Sequence, residues 1–250
     1  MYEKITKWED SADLCRQVAE ECDTAILAFS TGKDSIATWL QLRKYFKRVV
    51  PYYCICVPGL QFVERSLRYY EDFFETHIIR VPHPSFYRQI SCYTLQPPDR
   101  LDVIKEDYAI EVSAYTQDGI RDMIRKYEHL NPDTLCAVGI RSADSLTRRV
   151  QVDHNGAIQP GKKLLYAIYD WLKADMLREF YDSGVKLPVD YRMFGRSFDG
   201  LNYQYLKPIH DWFPEDYEQI LRWFPLAELE LARFDGPEVL RNRREVMCRE

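Results

Sequence analysis

The sequence is poor in glycine, with 10 in 250 residues. No Gly-x-Gly-x-x-Gly run occurs, and no Gly-x-x-x-x-Gly-Lys-Ser/Thr. The Rossmann fingerprint and the Walker loop are therefore excluded. Paired cysteines are also lacking. Seven cysteines stand at 15, 22, 54, 56, 92, 136 and 248, an odd number with no CxxC spacing. That excludes a disulfide framework and the usual ligand sets for zinc or an iron–sulfur cluster. Free thiols in a cytoplasmic protein are the expectation. No apolar run approaches the roughly 20 residues that cross a bilayer, so no membrane association is expected. The first ten residues are polar and mixed in charge, unlike a secretory signal. Basic excess is missing too. Lys and Arg number 34 against 39 Asp and Glu, a net charge of −5. Direct nucleic-acid binding is thus not indicated. An acidic protein that holds polyphosphate needs a focused basic pocket, for which Arg141, Arg148 and Arg149 are available.

What is present fits a globular α/β protein. Hydrophobic residues make up 46% of the chain, enough for a sizeable core. Ser11 to Cys22 has helical spacing, with Asp10 or Ser11 as its cap. Thr24 to Phe29 is a continuous apolar run, the mark of a strand buried on both faces of a parallel sheet. Asp34 to Phe46 returns to helical spacing. Arg48 to Val57 is rich in β-formers, and Pro51 places its first half at an edge or a strand start. A helix over 62–74 and a strand over 77–81 follow. This alternation predicts βαβ crossovers and an open, mostly parallel sheet flanked by helices. From 82 to 107 the pattern breaks at Pro82, Pro84, Pro97 and Pro98, which reads as a loop-rich insertion. A helix is expected over 117–129, a buried strand over 135–140, a hairpin turn at Asp153-His154-Asn155-Gly156 and a helix over 173–181. Past Pro208 the chain looks helical, with Pro214 and Pro225 near helix starts. The organisation expected is an α/β domain over 1–205, with the insertion, and a helical C-terminal extension over 206–250.

The loop Ser30-Thr31-Gly32-Lys33-Asp34-Ser35 carries readable chemistry. A buried strand delivers it to a helix N-terminus, where unpaired N–H groups and the helix dipole attract anions. Gly32 permits close backbone approach or a positive φ. Ser30, Thr31 and Ser35 offer hydroxyls, and Lys33 a cation. Asp34 is placed to cap the helix, or to hold Mg²⁺ together with a phosphate. An ordinary capped strand-to-helix turn is the alternative.

The same loop resembles the signature Ser-x-Gly-x-Asp-Ser of the PP-loop ATP pyrophosphatases. Three more segments are similar to their phosphoadenylyl-sulfate (PAPS) reductase-like branch. Pro58-Gly59-Leu60-Gln61-Phe62-Val63-Glu64 resembles Thr-Gly-Leu-x-Phe-x-Glu, with Pro58 for Thr. Gly139-Ile140-Arg141-Ser142-Ala143-Asp144-Ser145 with Arg148 resembles Gly-x-Arg-x-x-Glu-Ser-x-x-Arg, with Asp144 for Glu. Tyr166-Ala167-Ile168-Tyr169-Asp170-Trp171 with Asp175 resembles Tyr-Pro-Ile-x-Asp-Trp-x-x-x-Asp, with Ala167 for Pro. The four occur in order over about 24–195.

The resemblance implies an adenine nucleotide alpha hydrolase-like fold, with ATP and Mg²⁺ bound across the carboxyl ends of the strands. It implies nucleotide contacts from Ser30, Thr31, Gly32, Lys33, Asp34, Ser35, Gly139, Arg141 and Arg148. Lys33, Asp34 and Arg141 take the catalytic roles, and Asp34 the Mg²⁺. For Arg141 a salt bridge with Asp144 or another acid is the competing role. Leu60 and Phe62 either border the base or pack the core. Asp170 and Trp171 set a turn and pack the core. No residue stands out as a general base; His83 and His154 are candidates only because they stand in expected loops.

The chain also departs from the branch. Its end, Glu245-Val246-Met247-Cys248-Arg249-Glu250, lacks the Glu-Cys-Gly-Leu-His tail of true PAPS reductases. Gly195-Arg196-Ser197-Phe198-Asp199-Gly200 stands where relatives often show Gly-Cys-x-x-Cys. Reductive chemistry is thus poorly supported. The expected activity is attack on the α-phosphate of ATP by an unknown acceptor with release of pyrophosphate, as in relatives of the ATP sulfurylase and DNA-sulfur-modification types. A sulfonucleotide reductase using Cys248 is one alternative. A nucleotide-binding subunit that depends on a protein partner, or on a second copy, is another.

Overall fold

The computed structural model describes residues 2, 4–97 and 115–236. By internal packing the described residues fall into two units. The first draws on Met1–Cys54, Leu67–Val81 and Thr116–Pro188, the second on Ile55–Ser66, Pro82–Tyr115 and Val189–Glu250.

A six-stranded, mostly parallel sheet organises the first unit. Helix α1 (Ser11–Glu21) starts at Asp10, whose carboxylate accepts from Asp13 N at 2.8 Å. Strand β1 (Thr24–Phe29) follows, then α2 (Lys33–Leu42), β2 (Arg48–Ile55), α3 (Gln61–Phe74) and β3 (Ile79–Pro82). Past α4 (Pro84–Ser91) come α5 (Gln117–Tyr127), β4 (Cys136–Ala137), α6 (Leu146–Asn155), β5 (Ile158–Gln159), β6 (Leu164–Leu165) and α7 (Lys173–Ser183). The strand order is β3-β2-β1-β4-β6-β5. β1 runs parallel to β2 and β4, and β4 parallel to β6, while β5 returns antiparallel on β6. The chain thus builds outward from β1 in one direction, then crosses back to lay β4 on its other side.

Apolar runs explain the centre. Ala25, Ile26 and Leu27 are buried to 1% exposure or less, as a strand covered on both faces requires. Trp39 of α2 stacks on Phe74 at 4.0 Å, and Phe29 meets the edges of Trp39 and Tyr70 at 5.0 and 5.2 Å. Each such side chain contributes about 1.5–3 kcal/mol through burial. On another face of α2, Ala37 packs with Ile168 and Met176, flanked by Trp171 and Phe180 of the α7 region. Every residue from Ser35 to Leu42 is therefore buried, which is more than an amphipathic stripe.

The second unit is helical. After the short α8 (Asp190–Phe194) come α9 (Tyr203–Trp212), α10 (Pro214–Trp223), a 3₁₀ turn at Pro225–Ala227 and α11 (Glu228–Asp235). Phe62 meets Phe194, Phe198 and Phe213 at ring separations of 5.6–6.3 Å. The buried Asp216 accepts from Gln61 N at 2.6 Å and Phe62 N at 3.1 Å, so a carboxylate from α10 caps α3.

Three local expectations change. Residues 84–91 of the proline-rich stretch are helix α4, because Pro84 sits in its first turn, where proline needs no N–H partner, and His83 caps it. The Asp153–Gly156 turn is the end of α6: Gly156 at φ 75° stops the helix, a role an Asn-Gly pair serves as readily as a hairpin. The hairpin lies between β5 and β6, turning at Pro160–Lys162. Pro208 lies inside α9 and does not precede it.

Candidate functional site

The order in which the chain lays down its strands reverses between β1 and β4. The carboxyl end of β1 carries residues 30–35 and that of β4 carries Val138 to Arg141. At such a reversal the loops above two neighbouring strands diverge and leave a crevice, where open α/β sheets hold their ligands.

The loop is shaped by its own side chains. The Ser35 hydroxyl donates to Gly32 O at 2.8 Å and accepts from Ser30 N at 3.2 Å. Ser30 Oγ lies 3.3 Å from Ser35 Oγ and accepts from Gly32 N at 3.4 Å. Thr31 Oγ1 donates to Ser30 O at 2.6 Å. These hydroxyls, expected from the sequence to contact a ligand, also organise the turn. Of the two roles open to Gly32, the positive φ belongs instead to Thr31, at 57°, while Gly32 is extended at φ −71°. A buried, β-branched residue in the left-handed region is strained and persists only where its surroundings fix it. Gly32 is the N-cap of α2 and provides no side-chain cap.

Gly139 comes so close to this turn that a Cβ there would lie 2.8 Å from Asp34 C and 3.0 Å from both Asp34 O and Ser35 N. The sequence placed Gly139 at the nucleotide. The structure gives it a definite task, close passage of the β4 end against the first turn of α2.

Charges from three segments meet there. Asp34 accepts from Lys33 Nζ at 2.6 Å and from Arg141 Nε at 2.9 Å. Arg141 also donates to Asp144 at 2.5 Å and, at 3.4 Å, to the carbonyl of Trp171. Asp144 in turn accepts from Arg148 at 2.5 Å. Arg141 is 6% exposed, so its guanidinium is held among fixed partners. Arg141 is salt-bridged to Asp34 at the head of the loop helix and to Asp144. Three cations and two carboxylates leave the cluster positive.

Other candidates fall elsewhere. Arg149 is exposed. Leu60 and Phe62 are buried at 1%, and Phe62 lies among the aromatics of the second unit. Asp170 accepts from Ser11 N at 2.9 Å, pinning the start of α1. His154 is on helix α6, not in a loop. His83 caps α4, its ring nitrogen accepting from Ser85 N at 3.0 Å, and burial lowers its pKa. Cys248 lies outside the described residues. Burial pushes the thiols of Cys54 and Cys136 up to about 11 and that of Cys15 higher, the reverse of an activated thiolate. Among the described residues no three His, Cys, Asp or Glu side chains gather as a metal set.

Two features escaped sequence reading: the Trp171 carbonyl that helps orient Arg141, and the left-handed Thr31. Backbone carbonyls and dihedrals leave no signature in residue type. No protein-family model matches the chain, and a comparison with curated proteins finds no match either.

Proposed function

We propose that the chain binds ATP at residues 30–35 and transfers its adenylyl group to an acceptor with release of pyrophosphate, as a PP-loop enzyme of the PAPS reductase-like kind. One observation carries this reading. A helix N-terminus, Lys33 and the buried fork of Arg141 converge where the strand order of the mostly parallel sheet reverses. Oxyanions favour a helix N-terminus, and guanidinium forks match phosphate oxygens.

In the transfer, an acceptor oxygen or nitrogen bonds to the α-phosphorus. The bond from that phosphorus to the β-bridging oxygen breaks, and pyrophosphate leaves with the electron pair. Lys33 and Arg141 turn from Asp34 toward the phosphates and offset the charge that develops there. The loop and Gly139 fix the phosphate chain so that attack is in line. Asp34 suits Mg²⁺, which is commonly held by one or two carboxylates together with phosphates. Its two oxygens each meet one cation, so lone pairs remain. Bound there, Mg²⁺ would neutralise phosphate charge. The acceptor, a protein partner or second copy, and a cytoplasmic setting belong to the same proposal.

ATP labelled at the α- and γ-phosphates tests it. Incubation with Mg²⁺ and acceptors should put the γ label in pyrophosphate and the α label in an adenylyl product. Cleavage only between the β- and γ-phosphates would refute the assignment. Lys33→Ala should abolish nucleotide binding in calorimetry, which places the site.

A further inference from the structure

A second cluster of charge lies in the first unit, at the opposite end of the strands from loop 30–35. Lys163 O accepts from Cys136 N at 2.8 Å, so the turn 160–163 sits at the amino ends of β4 and β6. Loop 30–35 lies at the carboxyl ends. Between this turn and α5 runs a cleft of about 350 Å³. Its charged lining is Asp118, Arg121, Asp122 and Arg125 from α5, with Lys162 and Lys163 from the turn. Four cations face two carboxylates.

The pairing inside the cleft is incomplete. Arg125 is only 4% exposed. Its Nε donates to Thr134 O at 2.9 Å and its Nη1 to Asp122 at 2.8 Å. Its Nη2 is buried without a hydrogen-bond partner among the described residues. A buried charged donor left unpaired is costly, so such a group usually marks a missing acceptor. Asp122 meets Arg125 Nη1 and, at 3.8 Å, Lys163 through its Oδ1, and it does not reach Nη2. Asp118 pairs with Arg121. Lys162 is exposed at the mouth. The cleft therefore keeps two positive charges in excess on a chain whose net charge is −5, and its walls focus their field.

We propose that this cleft is a second oxyanion site. It takes inorganic phosphate, or the phosphate or sulfate group of a small monoester. With a small turn of its guanidinium into the cleft, Arg125 Nη2 donates to one oxygen, and Lys162 and Lys163 flank the others. Fork-shaped donors with flanking ammonium groups suit a tetrahedral oxyanion. A cleft of about 350 Å³ has the size of a small-molecule site, and an acidic chain offers no extended basic track for a phosphodiester, so the ligand is a small molecule and not a nucleic acid. The site does not depend on the nucleotide reading of loop 30–35.

Calorimetry with inorganic phosphate at constant ionic strength tests this, using the full chain in a Lys33→Ala background that silences the loop. Adding Lys162→Ala and Lys163→Ala should weaken phosphate binding roughly tenfold or more, for the loss of charge-assisted hydrogen bonds. The same pair of changes in the otherwise unaltered chain should leave ATP affinity as it was. Equal phosphate affinity with and without the two lysines would overturn the proposal. So would binding of a short oligonucleotide without binding of phosphate or sulfate. Glucose 6-phosphate in place of phosphate distinguishes a monoester from the free ion, and either ligand supports the site. A measurement on the unaltered chain stands beside these variants: phosphate should slow acetylation of Lys162 and Lys163, and no protection at saturating phosphate counts against the site.

Discussion

Gly139→Ala isolates the contact that joins β4 to the candidate nucleotide loop. The added methyl would meet backbone atoms of Asp34 and Ser35 at 2.8–3.0 Å, where real contacts are wider by several tenths of an ångström. Backbone at the first turn of α2 cannot swing aside as a long side chain can. Either the β4 end or the loop must shift. Overpacking of this kind costs about 1–3 kcal/mol. For a chain of this size, each kcal/mol lowers Tm by roughly 2–4 °C. The shift falls on the segment that holds Asp34 against Arg141, so ATP affinity should fall as well, and adenylyl transfer by up to about 100-fold for a displacement near 1 Å. Gly161→Ala is the matched control, since nothing lies within 4 Å of a Cβ there. Urea denaturation followed by circular dichroism gives the stability, and calorimetry gives the affinity. If Gly139→Ala matches Gly161→Ala within 0.5 kcal/mol, about the noise expected of a neutral surface change, and keeps its ATP affinity, the close approach has no energetic consequence and the reasoning fails.

Arg141→Lys keeps the charge but loses the fork that spans Asp34 and Asp144. ATP affinity should drop roughly tenfold or more with little change in fold, measured by calorimetry beside circular dichroism. Asp216→Ala orphans the N–H groups of Gln61 and Phe62; the urea midpoint should report a loss of about 1–3 kcal/mol, with Asp216→Asn losing less. Arg80, with the N–H of Ile78, lowers the carboxyl of Glu71 to about 2. A depressed carboxyl gives stability that is whole above its unfolded pKa of about 4.3 and drains away as pH falls toward 2, here about 2–3 kcal/mol. Glu71→Gln should therefore flatten the acid limb of a stability–pH curve between about pH 4.3 and 2; an unchanged slope would count against the pair.

Where one residue type has one physical consequence, the sequence is legible. The run Thr24–Phe29 can only be a covered strand, and the polar loop after it can only reach a helix start, so β1, loop 30–35 and α2 stand where they were expected. Asp10 or Ser11 before an apolar-periodic run reads as a cap, and Asp10 is the one that serves. Legibility fails where one residue type serves two geometries. Pro84 breaks a helix from inside and begins one from its first turn. Asn155-Gly156 turns a hairpin or ends a helix. Which of the two occurs depends on the neighbours packed against it, and those neighbours are far off in sequence. Asp216 shows the same limit. Nothing near it in the chain says that it caps α3, whose first residues lie some 155 positions earlier.

The candidate site follows that logic too. Asp34 and Arg141 are 107 positions apart, and Trp171 lies 30 further along. None of the three has value as a site alone. Asp34 without Arg141 is a helix-start carboxylate, and Arg141 without Asp34 is a buried guanidinium short of partners. They become one charged cluster only when β4 lies against β1, and Gly139 is what lets it lie there. Fold and site are then one cooperative object. The salt bridges also decide how the cluster can act. Lys33 and Arg141 are held by a carboxylate, so they keep their orientation in a partly buried position where free cations would swing outward to water. A polyphosphate entering the crevice offers the same cations more negative charge than Asp34 does. The exchange of one acceptor for another then requires small rotations and no rebuilding of the loop. Preorganisation of this kind lets a few charges stabilise a transition state. It also predicts that substitutions which spare the charges but loosen the β1–β4 junction will damage binding as much as removal of Lys33 itself.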